Sequence, residues 1–159
     1  MDAERGRRVH EALLARGATV ACAESLTGGA LAELFTATPG ASATFRGGVV
    51  SYATEVKVDV LGVSAATVAA YGVVSEECAQ EMAVGVRVLM GSTYAVSTTG
   101  VAGPDTQEGR PVGFVCIGLA GPDGARSSRH RFPGGRAEIR EAAVHRAADL
   151  LRGFVEATG

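Results

Sequence analysis

The chain has 159 residues, of which 47% are hydrophobic and 20% are charged, and its formal net charge is -2. This length predicts a single domain over residues 1–159 with a sizeable core. The basic excess of nucleic-acid binders is missing, and no apolar run reaches the ~18 residues of a membrane span, so we expect neither a nucleic-acid nor a membrane partner. The charged N-terminus, Met1-Asp2-Ala3-Glu4-Arg5, has no apolar signal-peptide core and predicts a cytoplasmic protein.

Hydrophobic periodicity and turn residues predict helices and strands in the order α β α β α α α β β β α. The predicted helices cover residues 3–16, 30–37, 55–61, 65–70, 76–90 and 136–155. The predicted strands cover residues 18–23, 45–53, 93–99, 112–120 and 126–132.

The alternation of strands and helices predicts an α/β fold, because helical crossovers connect parallel strands. The turn Gly121-Pro122-Asp123-Gly124 joins two strands directly, so that pair is expected to be antiparallel. We therefore expect a three-layer α/β/α sandwich with a mixed, mostly parallel sheet of about five strands. The last strand carries Arg129, His130 and Arg131, which suit an edge position.

A polar turn, Glu24–Gly29, follows the first strand and precedes a helix. Ser25 in this turn is a candidate nucleophile or substrate anchor, although an N-cap role fits the same position. Glu24 fits either a ligand role or an acceptor of loop amide protons. The backbone of Gly28 and Gly29, together with the helix start, is a candidate for stabilising an oxyanion or a phosphate.

Lys57 is the only lysine among the 15 basic residues. Unlike arginine, a lysine amine loses its proton readily when it is buried or close to positive potential. With Thr54 as a predicted N-cap, Lys57 becomes the third helical residue, where the helix dipole disfavours a cation and lowers its pKa. Either the position requires an amine that becomes neutral, or one surface lysine has survived by chance.

Polar loops follow three predicted strands, at residues 24–29, 98–104 and 133–136. Ligands bind outside the carboxyl ends of parallel strands, so the first two loops are expected at one rim of the sheet. That rim would bring together Ser25, Lys57, Tyr52, Thr98 and Thr99. The third loop follows an antiparallel strand, which leaves its position open.

Two further segments have open interpretations. Arg136, which follows Gly134-Gly135, is either a bidentate phosphate partner or part of a solvated helix face. Thr98-Thr99-Gly100 is either part of the site or an ordinary strand end.

No metal or cofactor is expected. Cys22, Cys78 and Cys116 are widely spaced in apolar runs and are predicted to be buried thiols. The histidines are scattered, and neither a P-loop nor a GxGxxG motif after the first strand is present.

The motifs together resemble the C-terminal domain family of CinA, the competence/damage-inducible protein, and its stand-alone nicotinamide-nucleotide amidase members. The matching segments lie in order along the chain: Ala23-Glu24-Ser25-Leu26-Thr27-Gly28-Gly29; Gly48-Val49-Val50-Ser51-Tyr52 with Lys57 and Leu61-Gly62-Val63; Gly72-Val73-Val74-Ser75; Ser97-Thr98-Thr99-Gly100-Val101-Ala102-Gly103-Pro104; Pro111-Val112-Gly113; and Phe132-x-Gly-x-Arg136.

The resemblance implies hydrolysis of the carboxamide of nicotinamide mononucleotide to nicotinic acid mononucleotide and ammonia, without a cofactor. It implies the α/β/α sandwich, a pyridine nucleotide as small-molecule partner, and a homodimer. It also implies that Ser25 is the catalytic serine and Lys57 its base. By the same match, Tyr52, Thr99 and Arg136 would be supporting or substrate-binding positions. The predicted site as a whole has Ser25, Lys57 and Tyr52 as catalytic residues, and as substrate-binding residues Glu24, Thr27, Gly28, Gly29, Thr98, Thr99, Gly100 and Arg136.

One segment departs from the family pattern. Residues 105–110 read Asp-Thr-Gln-Glu-Gly-Arg, where family members often carry a glycine pair and acidic residues. We therefore expect a loop of different shape and altered substrate contacts. The alternative function is a catalytically silent nucleotide-binding or regulatory module linked to competence or DNA damage. A different amide or phosphate-bearing substrate is a third, weaker option.

Overall fold

A computed structural model describes residues 2–158; Met1 and Gly159, the ends of the predicted 1–159 unit, lie outside it. The helices are α1 Ala3–Leu14, α2 Ala30–Thr36, α3 Thr54–Asp59, α4 Ala65–Tyr71, α5 Glu76–Met90 and α6 Arg136–Ala157. The strands are β1 Val20–Glu24, β2 Phe45–Val50, β3 Tyr94–Gly100, β4 Phe114–Gly121 and β5 Gly124–Arg131.

The five strands form one mixed sheet in the order β2-β1-β3-β4-β5. Strand β1 pairs in parallel with both β2 and β3, whereas β4 pairs antiparallel with β3 and with β5. Strand β4 alone therefore runs against the other four, so the mixed, mostly parallel sheet is confirmed. The arginine-bearing strand β5 lies at a sheet edge, as its sequence predicts.

Two hydrophobic cores lie on opposite faces of the sheet and define the three layers. One core packs α1, α2 and α6 against the sheet, and the other packs α5 and the segment before it. Strand β1 divides its side chains between them, with Val20 and Cys22 in the first core and Ala21 and Ala23 in the second. All five residues of β1 are buried, as expected of a strand covered on both faces.

Two glycines allow α5 to approach its neighbours closely. A Cβ atom at Gly118 of β4 would lie 2.2 Å from the Ala79 carbonyl oxygen. A Cβ atom at Gly85 of α5 would lie 1.8 Å from the carbonyl oxygen of Leu61. Any side chain at either position would force the helix away from the sheet or from the loop after α3.

All eleven predicted helices and strands are confirmed, and their boundaries differ from the predicted ones by at most three residues. The structure adds a 3₁₀ turn, Ala41–Ala43, which the sequence analysis did not predict. The predicted N-cap at Thr54 is wrong, because Ala53 is the N-cap and Thr54 is the first residue of α3. Within residues 2–158, no helix is both long and apolar enough to cross a membrane.

Candidate active site

Ser25 follows the last residue of β1 and is held by backbone hydrogen bonds between neighbouring strands. Its amide donates to the Thr98 carbonyl on β3 at 3.0 Å. On the other side, the Ser51 amide after β2 donates to the Glu24 carbonyl at 2.7 Å. The carboxyl ends of three parallel strands are therefore linked laterally at the point where Ser25 projects.

Lys57 lies on α3, which follows β2, and its amine reaches back to the end of β1. The side chain is fully buried, with 1% of the residue exposed. Its Nζ atom lies 3.1 Å from Ser25 Oγ, 2.6 Å from the Ser51 carbonyl oxygen and 3.2 Å from the Tyr52 carbonyl oxygen. The predicted convergence of Ser25 and Lys57 is thus present in the structure.

Burial lowers the pKa of the Lys57 ammonium from its ordinary value, because the charged form loses hydration. The nearby Cys78 and Glu108 side chains act in the opposite direction. The helix-dipole explanation is wrong, since Lys57 is the fourth of six residues in α3 and lies in its last turn. The expected direction of the pKa shift holds, but its cause is desolvation.

Glu24 caps helix α2 and does not face the cavity beside Ser25. Its carboxylate accepts the amide protons of Leu31 at 2.8 Å and Ala32 at 3.0 Å, and 1% of the residue is exposed. These amides belong to the first turn of α2, where donors lack partners within the helix. Of the two roles considered for Glu24, the structure supports the acceptor of amide protons, and a substrate contact would require this cap to break.

Among the amides considered for stabilising an oxyanion or a phosphate, those of Gly28, Leu31 and Ala32 already have acceptors. The role itself stays a prediction. The Gly28 amide donates to the Ser25 carbonyl at 3.1 Å and closes a turn, while Glu24 occupies the next helix amides. Gly28 and Gly29 have φ values of 58° and 104°, which glycine adopts without strain. The two glycines shape the turn that presents Ser25, and they do not line the cavity beside it.

The threonines at the end of β3 form hydrogen bonds with the segments that surround Ser25 and Lys57. Thr27 Oγ1 and Thr98 Oγ1 lie 2.8 Å apart, and both residues are fully buried. Thr99 donates from its hydroxyl to the Val73 carbonyl at 2.7 Å. These contacts fix the Ser25 turn and the segment before α5 to the sheet. Thr27 and Thr98 bind each other and do not line the cavity beside Ser25.

Tyr52 and Arg136 form the outer rim of the site. Arg136 donates to the Gly103 carbonyl at 2.7 Å and to the Tyr52 hydroxyl at 3.2 Å. Tyr52 is 60% exposed, so its ring is accessible to a ligand. The open position of the 133–136 loop is thereby resolved: β5 runs in the same direction as β3, and its loop reaches the same rim.

A cavity of about 100 Å³ lies between these elements. It is lined by Ser25, Leu26, Tyr52, Thr54, Lys57, Val73, Val74, Thr99, Gly100 and Gln107. The cavity is smaller than the roughly 300–1,000 Å³ of typical ligand pockets, so it suits one small reactive group of a larger molecule.

Several contributors were not singled out as site residues from the sequence. Ser51 is fully buried and supplies the shortest contact to Lys57, yet only its place in the Gly-Val-Val-Ser-Tyr segment marked it. Val73 and Val74 enter the cavity wall from a loop between helices. Arg140 donates to the Leu26 and Thr27 carbonyls and braces the Ser25 turn.

The thiols and acidic groups do not form a metal centre in the described part of the chain. Cys22, Cys78 and Cys116 are free and buried, as predicted. Burial raises the pKa of Cys78 to about 11 and that of Cys116 to about 12, so both stay protonated near neutral pH. Between residues 2 and 158, no three His, Cys, Asp or Glu side chains are grouped so as to hold a metal ion.

The fold and the paired Ser25 and Lys57 side chains define an α/β/α-sandwich protein with a buried serine–lysine pair at the carboxyl ends of its parallel strands. Residues 3–155 match the model of the CinA C-terminal domain. The chain belongs to this family.

Relatives and solved structures agree with this assignment. A CinA-like protein of Frankia casuarinae is 57% identical over 88% of the chain, and a putative competence-damage inducible protein of Bacillus pumilus is 47% identical over 92%. The chain spans 32% and 36% of those two relatives. A CinA superfamily protein from Klebsiella pneumoniae superposes with a TM-score of 0.93 at 37% identity, covering 96% of both chains. The competence/damage inducible protein CihA from Agrobacterium tumefaciens superposes with a TM-score of 0.91 at 35% identity. The superposition covers 95% of this chain and 93% of the CihA chain.

Proposed function

We propose that the protein hydrolyses the carboxamide of nicotinamide mononucleotide, with Ser25 as the nucleophile and Lys57 as its base. The observation that carries the proposal is the 3.1 Å contact between Lys57 Nζ and Ser25 Oγ in a buried setting. A serine activated by an amine is an established alternative to the serine–histidine pair. The substrate class is the one implied by the resemblance to the family's nucleotide amidases.

The contacts of Lys57 suit a neutral amine. With its proton removed, the amine has two N–H donors for the Ser51 and Tyr52 carbonyls and one lone pair for the Ser25 hydroxyl proton. The two carbonyls would therefore orient the lone pair towards the nucleophile. Burial favours this neutral form, because it lowers the pKa of Lys57.

The proposed reaction has two balanced steps. Ser25 Oγ attacks the carboxamide carbon while its proton moves to Lys57, and the proton then passes to the departing ammonia as the C–N bond breaks. Water next attacks the resulting ester, giving its proton to Lys57, and Ser25 Oγ leaves and regains a proton. Lys57 thus serves as base and then as acid in each half of the reaction.

The dimensions of the site suggest how a nucleotide would bind. The cavity of about 100 Å³ would hold the carboxamide end, while the ribose and phosphate extend outwards over the rim. Arg136 offers a guanidinium at that rim for the phosphate, and Tyr52 offers an exposed ring beside it. Thr99 and Gly100 line the inner wall.

The test is release of ammonia from nicotinamide mononucleotide by the purified protein. We expect turnover by the wild type and its loss in Ser25→Ala and in Lys57→Ala. Ser42→Ala is the matched control and should keep wild-type activity. It removes an exposed hydroxyl in the 3₁₀ turn before β2, at the opposite end of β1 and β2 from Ser25. Activity that survives both Ser25→Ala and Lys57→Ala would refute the proposed roles of nucleophile and base.

An inactive wild type would be interpreted by calorimetry. Binding of the nucleotide without turnover would favour the regulatory module, in which the pocket is retained for a signalling role. Turnover of another pyridine nucleotide or nucleoside in a panel would support the proposed reaction mechanism and contradict the proposed substrate. The cytoplasmic location expected from the sequence stays a prediction.

The homodimer implied by the resemblance is proposed to use an apolar face of α5. Val84 and Val88 lie one helical turn apart and are 43% and 75% exposed, and Leu89 is 51% exposed beside them. Burying such side chains between two copies would remove apolar surface from water. Sedimentation of the wild type and of Val88→Glu should show a dimer and a monomer, respectively, and two identical profiles would contradict this face.

A further inference from the structure

The loop of residues 105–110 closes on itself over the cavity. Gln107 and Arg110 form a small bridge, in which the Arg110 amide donates to the Gln107 carbonyl at 2.8 Å. The Arg110 guanidinium lies 4.7 Å from the centre of the Phe114 ring. Glu108, which lies between Gln107 and Arg110, has a φ of 53°, in the left-handed region that non-glycine residues seldom occupy.

The unusual backbone of Glu108 directs its carboxylate onto two neighbouring amides. One oxygen accepts the Val74 amide proton at 2.9 Å, and the other accepts the Val73 amide proton at 3.1 Å. Gly72 leaves room for this approach, since a Cβ atom there would lie 2.7 Å from the carboxylate. The contact closes the loop onto the segment that precedes α5, and we refer to it as the Glu108 clasp.

The clasp joins two parts of the cavity wall. Val73 and Val74 line one side, and the Val73 carbonyl accepts the Thr99 hydroxyl proton. Gln107, next to Glu108 in the loop, lines the same cavity. Fixing Glu108 therefore fixes both the loop and the wall relative to the amine of Lys57.

We propose that Glu108 is a positioning residue, whose carboxylate clasps the 105–110 loop to the Val73–Val74 wall and so sets the shape of the cavity in which the substrate carboxamide is held. This inference rests on the proposed function for its catalytic consequence, but the clasp itself is independent of any substrate.

The charge of Glu108 supplies a second, independent readout. Two titratable groups act on the Lys57 amine, the Cys78 thiol from α5 and the Glu108 carboxylate from the loop, and the carboxylate favours the protonated amine. Removing the carboxylate charge should therefore lower the pKa of Lys57 further. Because Lys57 is the only lysine, one side-chain signal from protein labelled with carbon-13 lysine reports its titration directly.

The experiment compares wild type with Glu108→Gln, Glu108→Ala and the control Asp105→Asn. Asp105 is exposed and lies in the same loop, as Glu108 does, but its carboxylate does not accept the Val73 and Val74 amide protons. We measure amide hydrogen exchange at Val73 and Val74, the titration of Lys57, and turnover of nicotinamide mononucleotide. Equal unfolding midpoints would establish that each variant is folded.

We expect exchange at Val73 and Val74 to be at least tenfold faster in Glu108→Ala than in the wild type. In Glu108→Gln, which keeps one acceptor oxygen, we expect this acceleration at one of the two amides. In Glu108→Gln, we also expect a lower pKa of Lys57 and a fall in kcat/KM of about ten- to a hundredfold, because small displacements at a reacting centre have effects of this size. Asp105→Asn should stay within twofold of wild type in each measurement.

Unchanged exchange at both amides would overturn the clasp, and unchanged kcat/KM despite faster exchange would overturn the positioning role. If the wild type shows no turnover, the proposed function fails. Amide exchange would still decide whether the clasp exists, and the Lys57 titration would decide whether the Glu108 charge acts on the amine.

Discussion

Replacement of Lys57 by methionine is the sharpest test of the site. Methionine has a similar length and suits the buried position, but it cannot accept the Ser25 proton. The substitution removes the contacts of Nζ at 2.6, 3.1 and 3.2 Å. Because general-base catalysis contributes about 10²–10⁴-fold, we expect the rate of ammonia release to fall by that factor.

The same substitution has a pH-dependent effect on stability. The pKa of Lys57 is lowered in the folded protein, so between that pKa and the ordinary value of 10.5 the unfolded chain binds more protons than the folded chain. Wild-type stability relative to Lys57→Met should therefore rise with pH through this window. The total change is about 1.4 kcal/mol for each unit by which the pKa is lowered.

Urea unfolding of both proteins between pH 6 and pH 11 would measure this difference, and an ammonia assay would measure activity. A parallel pH dependence of the two stabilities would show that the Lys57 pKa is not lowered. Activity of Lys57→Met within about fivefold of wild type would show that Lys57 is not the base. Lys57→Arg is the matched control, since arginine keeps its charge at working pH; an active Lys57→Arg would refute proton acceptance at this position.

Three further substitutions separate catalysis from stability. Ser25→Ala should lower turnover by about 10³-fold or more, with nucleotide affinity by calorimetry within a few-fold of wild type; a small loss of turnover would exclude nucleophilic catalysis. Glu24→Gln should lower the free energy of unfolding by about 1–3 kcal/mol, since one carboxylate oxygen that accepts an α2 amide proton is lost, whereas the exposed Glu33→Gln should have little effect in urea. Gly85→Ala should destabilise α5 by roughly 1–3 kcal/mol or more, because its Cβ would meet a backbone oxygen at 1.8 Å. Gly153→Ala, in a helical position with open space, should instead raise the thermal midpoint, and equal effects of the two alanines would contradict the packing argument.

The pairing of Ser25 with Lys57 was predictable from the sequence, because it depends on strand order and on the polar segments that follow strands. The reason for the lowered pKa of Lys57 was not predictable from the sequence. The predicted helix 55–61 places Lys57 third from its start, whereas the observed α3, Thr54–Asp59, places it fourth of six residues and in the last turn. The structure attributes the effect to burial, which depends on side chains from distant parts of the chain.

The contacts of Glu24 and Glu108 could not be predicted from local sequence patterns. Both are acidic residues near the site, and both accept pairs of backbone amide protons. For Glu24, the local spacing allows either a ligand role or an acceptor role. The contact of Glu108 requires a left-handed backbone at a non-glycine residue and space left by Gly72, and neither feature has a local sequence signal.

The lateral hydrogen bonds at the ends of β1, β2 and β3 have a consequence for which groups of the site the sheet itself holds. Ser25 directly follows β1, and the Ser51 and Tyr52 carbonyls that accept from Lys57 directly follow β2, so the spacing of about 4.8 Å between hydrogen-bonded strands holds these groups side by side. The one irregularity in the β1–β2 register, between Val20 and Ala21, lies at the opposite end of the strand from Ser25. The sheet therefore fixes the serine and two acceptors of the amine, whereas the amine itself depends on how α3 packs.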